Sequence, residues 1–113
     1  MIGPKQIADN LEAVVEQIRG RFRPAKVILF GSYASDRARP ESDVDLLVVT
    51  PEPPGWREGH RFGMELETKY RLRLHIQFMP EEEFEETRDI VGGLAFPASR
   101  AGKVLYERHS SVG

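Results

Sequence analysis

The sequence predicts a two-layer domain of the α/β or α+β class, and three observations support this prediction. The 113 residues suit one domain, 1–113, because domains typically hold about 100 to 200 residues. Segments with helical periodicity alternate with short apolar runs typical of strands. Breaker residues separate these segments. The resulting order is helix, strand, helical turn, strand, helix, strand, helix, strand, which is typical of a sheet covered by helices.

The first two elements are a helix and a buried strand. Apolar residues recur at helical spacing over 7–18, which predicts a helix with one buried face, and Gly20 is expected to end it. The run 25–30 is short, rich in β-branched residues and bounded by turn formers, so it predicts a buried strand. Residues 33–42 are polar and contain a proline, which predicts a helical turn followed by a loop.

The middle of the chain predicts two more strands with a helix between them. Residues 44–50 form an apolar run, which predicts the second strand. The breaker cluster 51–55, Pro-Glu-Pro-Pro-Gly, is too short for a domain linker and predicts a loop. Residues 56–72 show moderate helical periodicity. In 74–78 apolar and polar residues alternate, which predicts a strand with one face on a core.

The last part of the chain predicts a short helix and a closing strand. Pro80 is expected to open an acidic helix, because proline suits the first helical position and acidic residues suit a helix N-terminus. The pair 92–93, Gly-Gly, should end that helix. A further helical turn is predicted from Pro97, followed by a strand at 104–106.

Composition excludes several classes of protein. The chain has no cysteine, which rules out a disulfide scaffold, a thiolate metal site and a cysteine nucleophile, and favours a reducing compartment, the cytoplasm. The longest apolar runs have four residues, whereas a membrane-spanning helix needs about 20. We see no secretory signal peptide at the start. With 16 Lys and Arg against 18 Asp and Glu, the chain has no overall attraction to nucleic acid or anionic lipid.

The stretch with the most chemical content is Gly31-Ser32 followed by Asp43-Val44-Asp45. Residues two apart on a strand point to the same face, so Asp43 and Asp45 present their carboxylates together. Two adjacent carboxylates repel each other unless a cation binds between them. In proteins Mg²⁺ is usually held by one or two carboxylates together with substrate phosphates. Gly31 and Ser32 lie where a strand gives way to a helical turn, a place suited to phosphate oxygens. Together these residues predict nucleotidyl transfer.

A purely structural explanation exists for these residues. An isolated Asp-x-Asp is in most sequences an exposed strand face, and an isolated Gly-Ser is less specific still. The strand 44–50 is nevertheless markedly apolar, and a bare carboxylate in apolar surroundings is costly unless something binds it. We therefore favour the functional interpretation.

Two segments resemble a known family. Residues 30–34, Phe-Gly-Ser-Tyr-Ala, and 39–48, Arg-Pro-Glu-Ser-Asp-Val-Asp-Leu-Leu-Val, resemble the minimal nucleotidyltransferases of the DNA polymerase beta superfamily, of the MntA-like antitoxin type. The resemblance extends through 80–86 and 102–106 and so covers nearly the whole chain. It implies an α+β nucleotidyltransferase fold, with a small mixed sheet and helices packed on one side. It also implies transfer of a nucleoside monophosphate, AMP from ATP, to an acceptor hydroxyl.

The resemblance also implies roles for four residues. By position, Gly31 and Ser32 would hold the triphosphate. Asp43 and Asp45 would be catalytic and would bind the metal, which is Mg²⁺ with Mn²⁺ as an alternative.

The chain departs from the family pattern at two places. Members that catalyse usually carry a third carboxylate on the neighbouring strand, where this chain has His75. As a catalytic residue His75 could deprotonate the acceptor; alternatively, the site binds nucleotide without turnover, or His75 is a plain surface histidine. Ser35 and Asp36 stand where the family often has arginine and glycine, which removes a positive charge that Arg37 or Arg39 could replace.

Other chemistry-bearing residues fit no site. His60 and His109 lie in polar segments without partners at metal-ligand spacing, so we expect both to be exposed. Trp56 is expected to close a loop onto the core rather than to stack on a base. The sequence lacks a Gly-x-Ser-x-Gly elbow and a Gly-x-x-x-x-Gly-Lys loop, which argues against serine hydrolases and P-loop enzymes.

Two classes of function follow from the resemblance. The first is a transferase that modifies a partner protein, with a helical HEPN-domain protein as the implied partner and nucleic acid open as another acceptor. The second is a catalytically weakened, antitoxin-like module that neutralises such a partner by contact. The presence of His75 in place of a third carboxylate favours this second class. An RNA-binding domain is a weaker third, because the charge balance is mildly acidic. The sequence leaves open whether the protein forms a homo-oligomer.

Overall fold

The computed structural model describes residues 4–31, 43–89 and 102–108 of the chain. In these ranges the helices are α1 (Pro4–Phe22), α2 (Trp56–Tyr70) and α3 (Glu81–Thr87), and the strands are β1 (Lys26–Phe30), β2 (Val44–Thr50), β3 (Leu74–Pro80) and β4 (Lys103–Glu107). This order confirms the predicted alternation of helices and strands. The predictions for 33–42, for 92–93 and for the turn from Pro97 lie outside the described residues.

The four strands form one mixed sheet in the order β3-β2-β1-β4. Strand β1 is antiparallel to β2 and β4, whereas β2 and β3 are parallel. Parallel neighbours need a long crossover connection, and α2 with its flanking loops supplies it. As a result, β2 and β3 both begin at the end of the sheet where β1 finishes, and this end holds the predicted site residues.

Strand alternation divides the core between the two faces of the sheet. On one face α1 and α2 pack on β1 and β2, and the buried set includes Val14, Ile18, Val27, Leu46, Val48, Phe62 and Leu66. On the other face the buried set is Ile28, Leu47, Val49, Met79 and Phe84. The two long helices therefore lie on one side as predicted, while α3 covers part of the opposite face through Phe84. Asp45 alternates with Leu46 and so belongs to the face with α3.

Helix α1 does not end at Gly20, which corrects that prediction. The helix continues to Phe22, and Arg23 follows in the left-handed region at φ 49°, where its N–H donates to the carbonyl of Arg19 at 3.2 Å. The two extra residues are stabilised by packing, because the Phe22 ring contacts Phe62 edge-on with centroids 4.9 Å apart. A favourable aromatic contact therefore outweighs the tendency of glycine to end a helix.

The prediction that Trp56 packs on the core is also wrong. Its side chain is 77% exposed at the first position of α2, while Phe62 and Leu66 are buried. At about 100° per residue, these two share one helical face and Trp56 lies well away from it. Helix α2 ends at Tyr70, and Arg71 forms its C-cap in the left-handed region.

Helix α3 begins one residue later than predicted, with Pro80 as its N-cap and three glutamates in the first turn. Its Phe84 is 1% exposed, so the helix is held to the sheet by one aromatic anchor. None of the helices within 4–31, 43–89 and 102–108 combines the length and the hydropathy needed to cross a bilayer.

Candidate active site at one end of the sheet

The predicted site residues meet where β1 ends and β2 and β3 begin. In the antiparallel ladder Phe30 is opposite Asp45, so Gly31, the next residue, lies beside that carboxylate. In the parallel ladder Asp45 is opposite His75. Three strands therefore bring Gly31, Asp45 and His75 together, although they are far apart in sequence. Ser32, the other predicted phosphate-binding residue, lies outside the described residues.

Asp45 is the centre of this arrangement. Its side chain is 24% exposed, and its Oδ1 lies 3.1 Å from Nδ1 of His75. When the Nδ1–H of a neutral imidazole donates to a carboxylate, Nε2 is left as the nitrogen that can accept a proton. The imidazole is 59% exposed. The contact therefore orients an accessible ring and selects the tautomer suited to a general base.

Asp43 has a different partner. Its side chain is 54% exposed, and its Oδ1 lies 3.2 Å from Nε of Arg73. The backbone N–H of Val44 donates to the carbonyl of Arg73 at 2.7 Å, which fixes the two strand starts against each other. Each carboxylate of the Asp-x-Asp pair thus contacts a nitrogen-bearing side chain at the start of β3, His75 within the strand and Arg73 just before it.

Sequence reasoning did not single out Arg73. The signal was nevertheless present, because Arg73 stands two residues before His75 and strand alternation assigns both to one face. The sequence did not reveal the parallel register of β2 and β3, which places Arg73 and His75 beside Asp43 and Asp45.

Gly31 is required by the geometry at the end of β1. Its φ is +76°, in the left-handed region, and a Cβ built on it would overlap the Asp45 carboxylate. Only glycine combines this conformation with such a close approach at low cost. The backbone therefore passes directly beside the carboxylate.

The two carboxylates suit a divalent cation. Both are partly exposed, and carboxylate oxygens are the ligands that Mg²⁺ prefers. Among the described residues, no group of three His, Asp or Glu side chains is arranged to hold a metal ion. A cation held by these two carboxylates would take its remaining ligands from substrate phosphates and water.

A separate depression of about 730 Å³ lies on the outer surface of α2 and is lined in part by Trp56, Arg57, His60 and Met64. Because α2 packs on the face opposite Asp45 and Leu47, this depression does not belong to the candidate site. His60 is exposed, as predicted. His109, Ser35, Asp36, Arg37 and Arg39 lie outside the described residues.

Two proteins of Methanocaldococcus jannaschii, both named provisionally as protein adenylyltransferases, are similar to parts of the chain. One is 38% identical over 55 residues, covering 49% of this chain and 54% of its own length. The other is 44% identical over 45 residues, covering 40% of this chain and 43% of its own length. The chain thus spans about half the length of the curated relatives it matches.

Solved structures share the fold at low sequence identity. A toxin–antitoxin structure with AMP-PNP aligns with a TM-score of 0.64 at 15% identity, over 87% of this chain and 74% of that one. A MntA-HpeT toxin–antitoxin mutant aligns at 0.60 and 15% identity, over 88% and 73% of the two chains. A provisionally assigned nucleotidyltransferase from Sulfolobus solfataricus aligns at 0.53 and 17% identity, over 95% and 91%. These likenesses confirm the predicted nucleotidyltransferase fold.

The family assignment is shown by the sequence itself. Residues 11–99 match the family model described as the nucleotidyltransferase domain. The match begins inside α1, extends beyond α3 and includes Gly31, Asp43, Asp45 and His75. With most of its length matched, this chain belongs to the nucleotidyltransferase-domain family.

Proposed function

We propose that this protein is a metal-dependent nucleotidyltransferase that transfers AMP from ATP to a hydroxyl group of a partner macromolecule. The observation that carries the proposal is the position of Asp45, which lies between the glycine turn of Gly31 and the imidazole of His75 at one sheet end. These three features supply a phosphate-approach surface, a metal-ligand carboxylate and a base in one place. Support also comes from the family match over 11–99.

The carboxylates of Asp43 and Asp45 would hold Mg²⁺, or Mn²⁺ in its place, together with the triphosphate. When bound, such an ion neutralises charge that develops on the phosphates during transfer. The chain's own contribution would be placement, because Asp43 and Asp45 stand on either side of Val44 at the start of β2. The turn at Gly31, continued by Ser32 in the proposal, positions the phosphate chain against them.

His75 is proposed as the catalytic base of the transfer. The acceptor hydroxyl oxygen forms a bond to the α-phosphorus of ATP, the bond from that phosphorus to the bridging oxygen breaks, and pyrophosphate leaves. The hydroxyl proton passes to Nε2 of His75. Asp45 holds the ring through Nδ1 at 3.1 Å and stabilises the imidazolium that forms.

The acceptor is proposed to be another molecule, either a HEPN-domain protein or an RNA. The structural neighbours in toxin–antitoxin structures and the relatives named as protein adenylyltransferases support a protein acceptor. We treat 1–113 as one catalytic domain acting in the cytoplasm, a location that the absence of cysteine favours.

Intact-mass spectrometry tests the transfer directly. The protein is incubated with Mg²⁺, ATP and candidate acceptors, and the expected result is an acceptor heavier by one AMP group. The Asp43→Asn variant should give no adduct in the same time, because it removes a charge from the metal pair. Bound nucleotide without an adduct on any acceptor would contradict the proposed activity.

A second candidate function is a catalytically weakened module that neutralises its partner by contact. The observation that favours it is His75 itself, an imidazole in place of a third carboxylate. Under this alternative, the wild type is inactive and the partner is inhibited without any change in its mass.

The variant His75→Asp distinguishes the two functions. If His75 is the base, transfer is already present in the wild type and is unchanged or lost in the variant, since an aspartate at this position is itself able to accept a proton. The new carboxylate would also repel Asp45. His60→Asp, the same replacement at an exposed position on α2, should leave the rate unchanged. Activity that appears only in His75→Asp would support the weakened module instead.

A further inference from the structure

The starts of β2 and β3 carry two matched pairs of charged and polar side chains. Asp45 contacts His75 at 3.1 Å, and Asp43 contacts Arg73 at 3.2 Å. Asp45 and His75 lie in β2 and β3, whereas Asp43 and Arg73 are the residues that immediately precede these two strands. His75 has a role in the proposed transfer, whereas Arg73 does not. A permanently charged guanidinium beside a proposed metal ligand therefore needs an explanation.

The ion pair between Arg73 and Asp43 is able to exchange partners. Both side chains are more than half exposed, at 66% and 54%, and exposed ion pairs are weak because water screens them. The backbone of Arg73 is held in place by the bond from the Val44 N–H to its carbonyl. The guanidinium can thus swing on a flexible side chain from a fixed point beside the two carboxylates.

We infer that Arg73 binds the triphosphate of the nucleotide, moving from Asp43 to a phosphate oxygen when the substrate enters. This inference rests on the proposed function. The substrate brings a strongly negative phosphate chain next to Asp43 and Asp45, and that juxtaposition requires positive charge. A guanidinium forms paired, charge-assisted hydrogen bonds to phosphate. Before the substrate enters, the same group balances the charge of Asp43.

The alternative is that Arg73 only shields Asp43. In that case it competes with a cation for the carboxylate, and its removal should improve the binding of a metal–nucleotide complex. A phosphate-binding residue has the opposite effect, since its removal weakens binding of ATP. The two roles therefore predict opposite changes in the dissociation constant for ATP when Arg73 is removed.

Isothermal titration calorimetry of the full chain with ATP, in the presence of Mg²⁺, measures this dissociation constant. For Arg73→Ala the dissociation constant should rise about 10-fold, as expected for losing a charge-assisted hydrogen bond. Arg73→Lys keeps the charge and should show a smaller rise. Binding of adenosine, which lacks phosphate, should be the same in all variants.

Arg71→Asn is the matched control. It removes the same charge two residues away, and asparagine tolerates the left-handed conformation that Arg71 adopts at φ 55°. Its dissociation constant for ATP should stay within about 2-fold of the wild type, because general charge effects are screened by salt. Thermal unfolding of each variant checks that the fold is retained, and Arg73→Lys carries the test if Arg73→Ala unfolds.

The outcomes separate this inference from the function on which it rests. Wild-type protein that binds no ATP would overturn both. Wild-type binding with an unchanged or lower dissociation constant in Arg73→Ala would overturn only the role of Arg73. An equal loss of affinity in Arg71→Asn would also overturn it, because the effect would then depend on net charge rather than on position.

Discussion

Replacing Asp45 with asparagine is expected to lower the rate of nucleotidyl transfer by at least about 1,000-fold, or roughly 4 kcal/mol of transition-state stabilisation. Asparagine has nearly the same shape, so the strand start is preserved while the negative charge is lost. That charge has two roles in the proposed site, as a metal ligand and as the acceptor that orients His75 at 3.1 Å. The loss of both roles at one residue explains the size of the effect.

The rate of adduct formation, followed by intact mass, measures this effect. Asp43→Asn should be less damaging than Asp45→Asn over long incubation, because Asp43 is more exposed and its partner is Arg73 rather than the base. The midpoint of thermal unfolding should change little in Asp45→Asn. Transfer at the wild-type rate in this variant would show that the carboxylate is not part of the chemistry.

Replacing Gly31 with alanine is expected to lower transfer about 100-fold and to destabilise the fold by about 1 to 2 kcal/mol, the usual cost of a left-handed conformation for a residue with a Cβ. The conformational cost follows from φ +76°. The loss of transfer has a separate cause, because the new methyl group would overlap the Asp45 carboxylate. That carboxylate must then move away from its position beside His75.

Gly63→Ala is the matched control for this prediction. Gly63 lies inside α2, and a Cβ built there meets no atom within 4 Å. Since alanine is favoured over glycine in a helix by up to about 1 kcal/mol, this variant should be more stable than the wild type and equally active. Kinetics and thermal unfolding on both variants complete the comparison. Unchanged transfer in Gly31→Ala would contradict the proposed placement of the turn against Asp45.

Local periodicity was sufficient to predict most of the elements. The apolar run over 44–50 coincides with β2, and the alternation over 74–78 lies within β3. The errors arose where tertiary packing outweighed local preference. Gly20 did not end α1 because Phe22 packs against Phe62, and Trp56 is exposed because the buried face of α2 is set by Phe62 and Leu66.

The candidate site likewise has features that local sequence predicts and features that depend on tertiary structure. The sequence by itself determined that Asp43 and Asp45 stand two residues apart at the start of a strand and that a glycine follows a buried strand, because strand and turn preferences act over a few residues. Only the tertiary structure decided which side chains those carboxylates meet. The pairing of Asp45 with His75 and of Asp43 with Arg73 depends on strand order and on the parallel register of β2 and β3. That register is set by the crossover through α2 and by packing of the whole sheet, so no local pattern contains it.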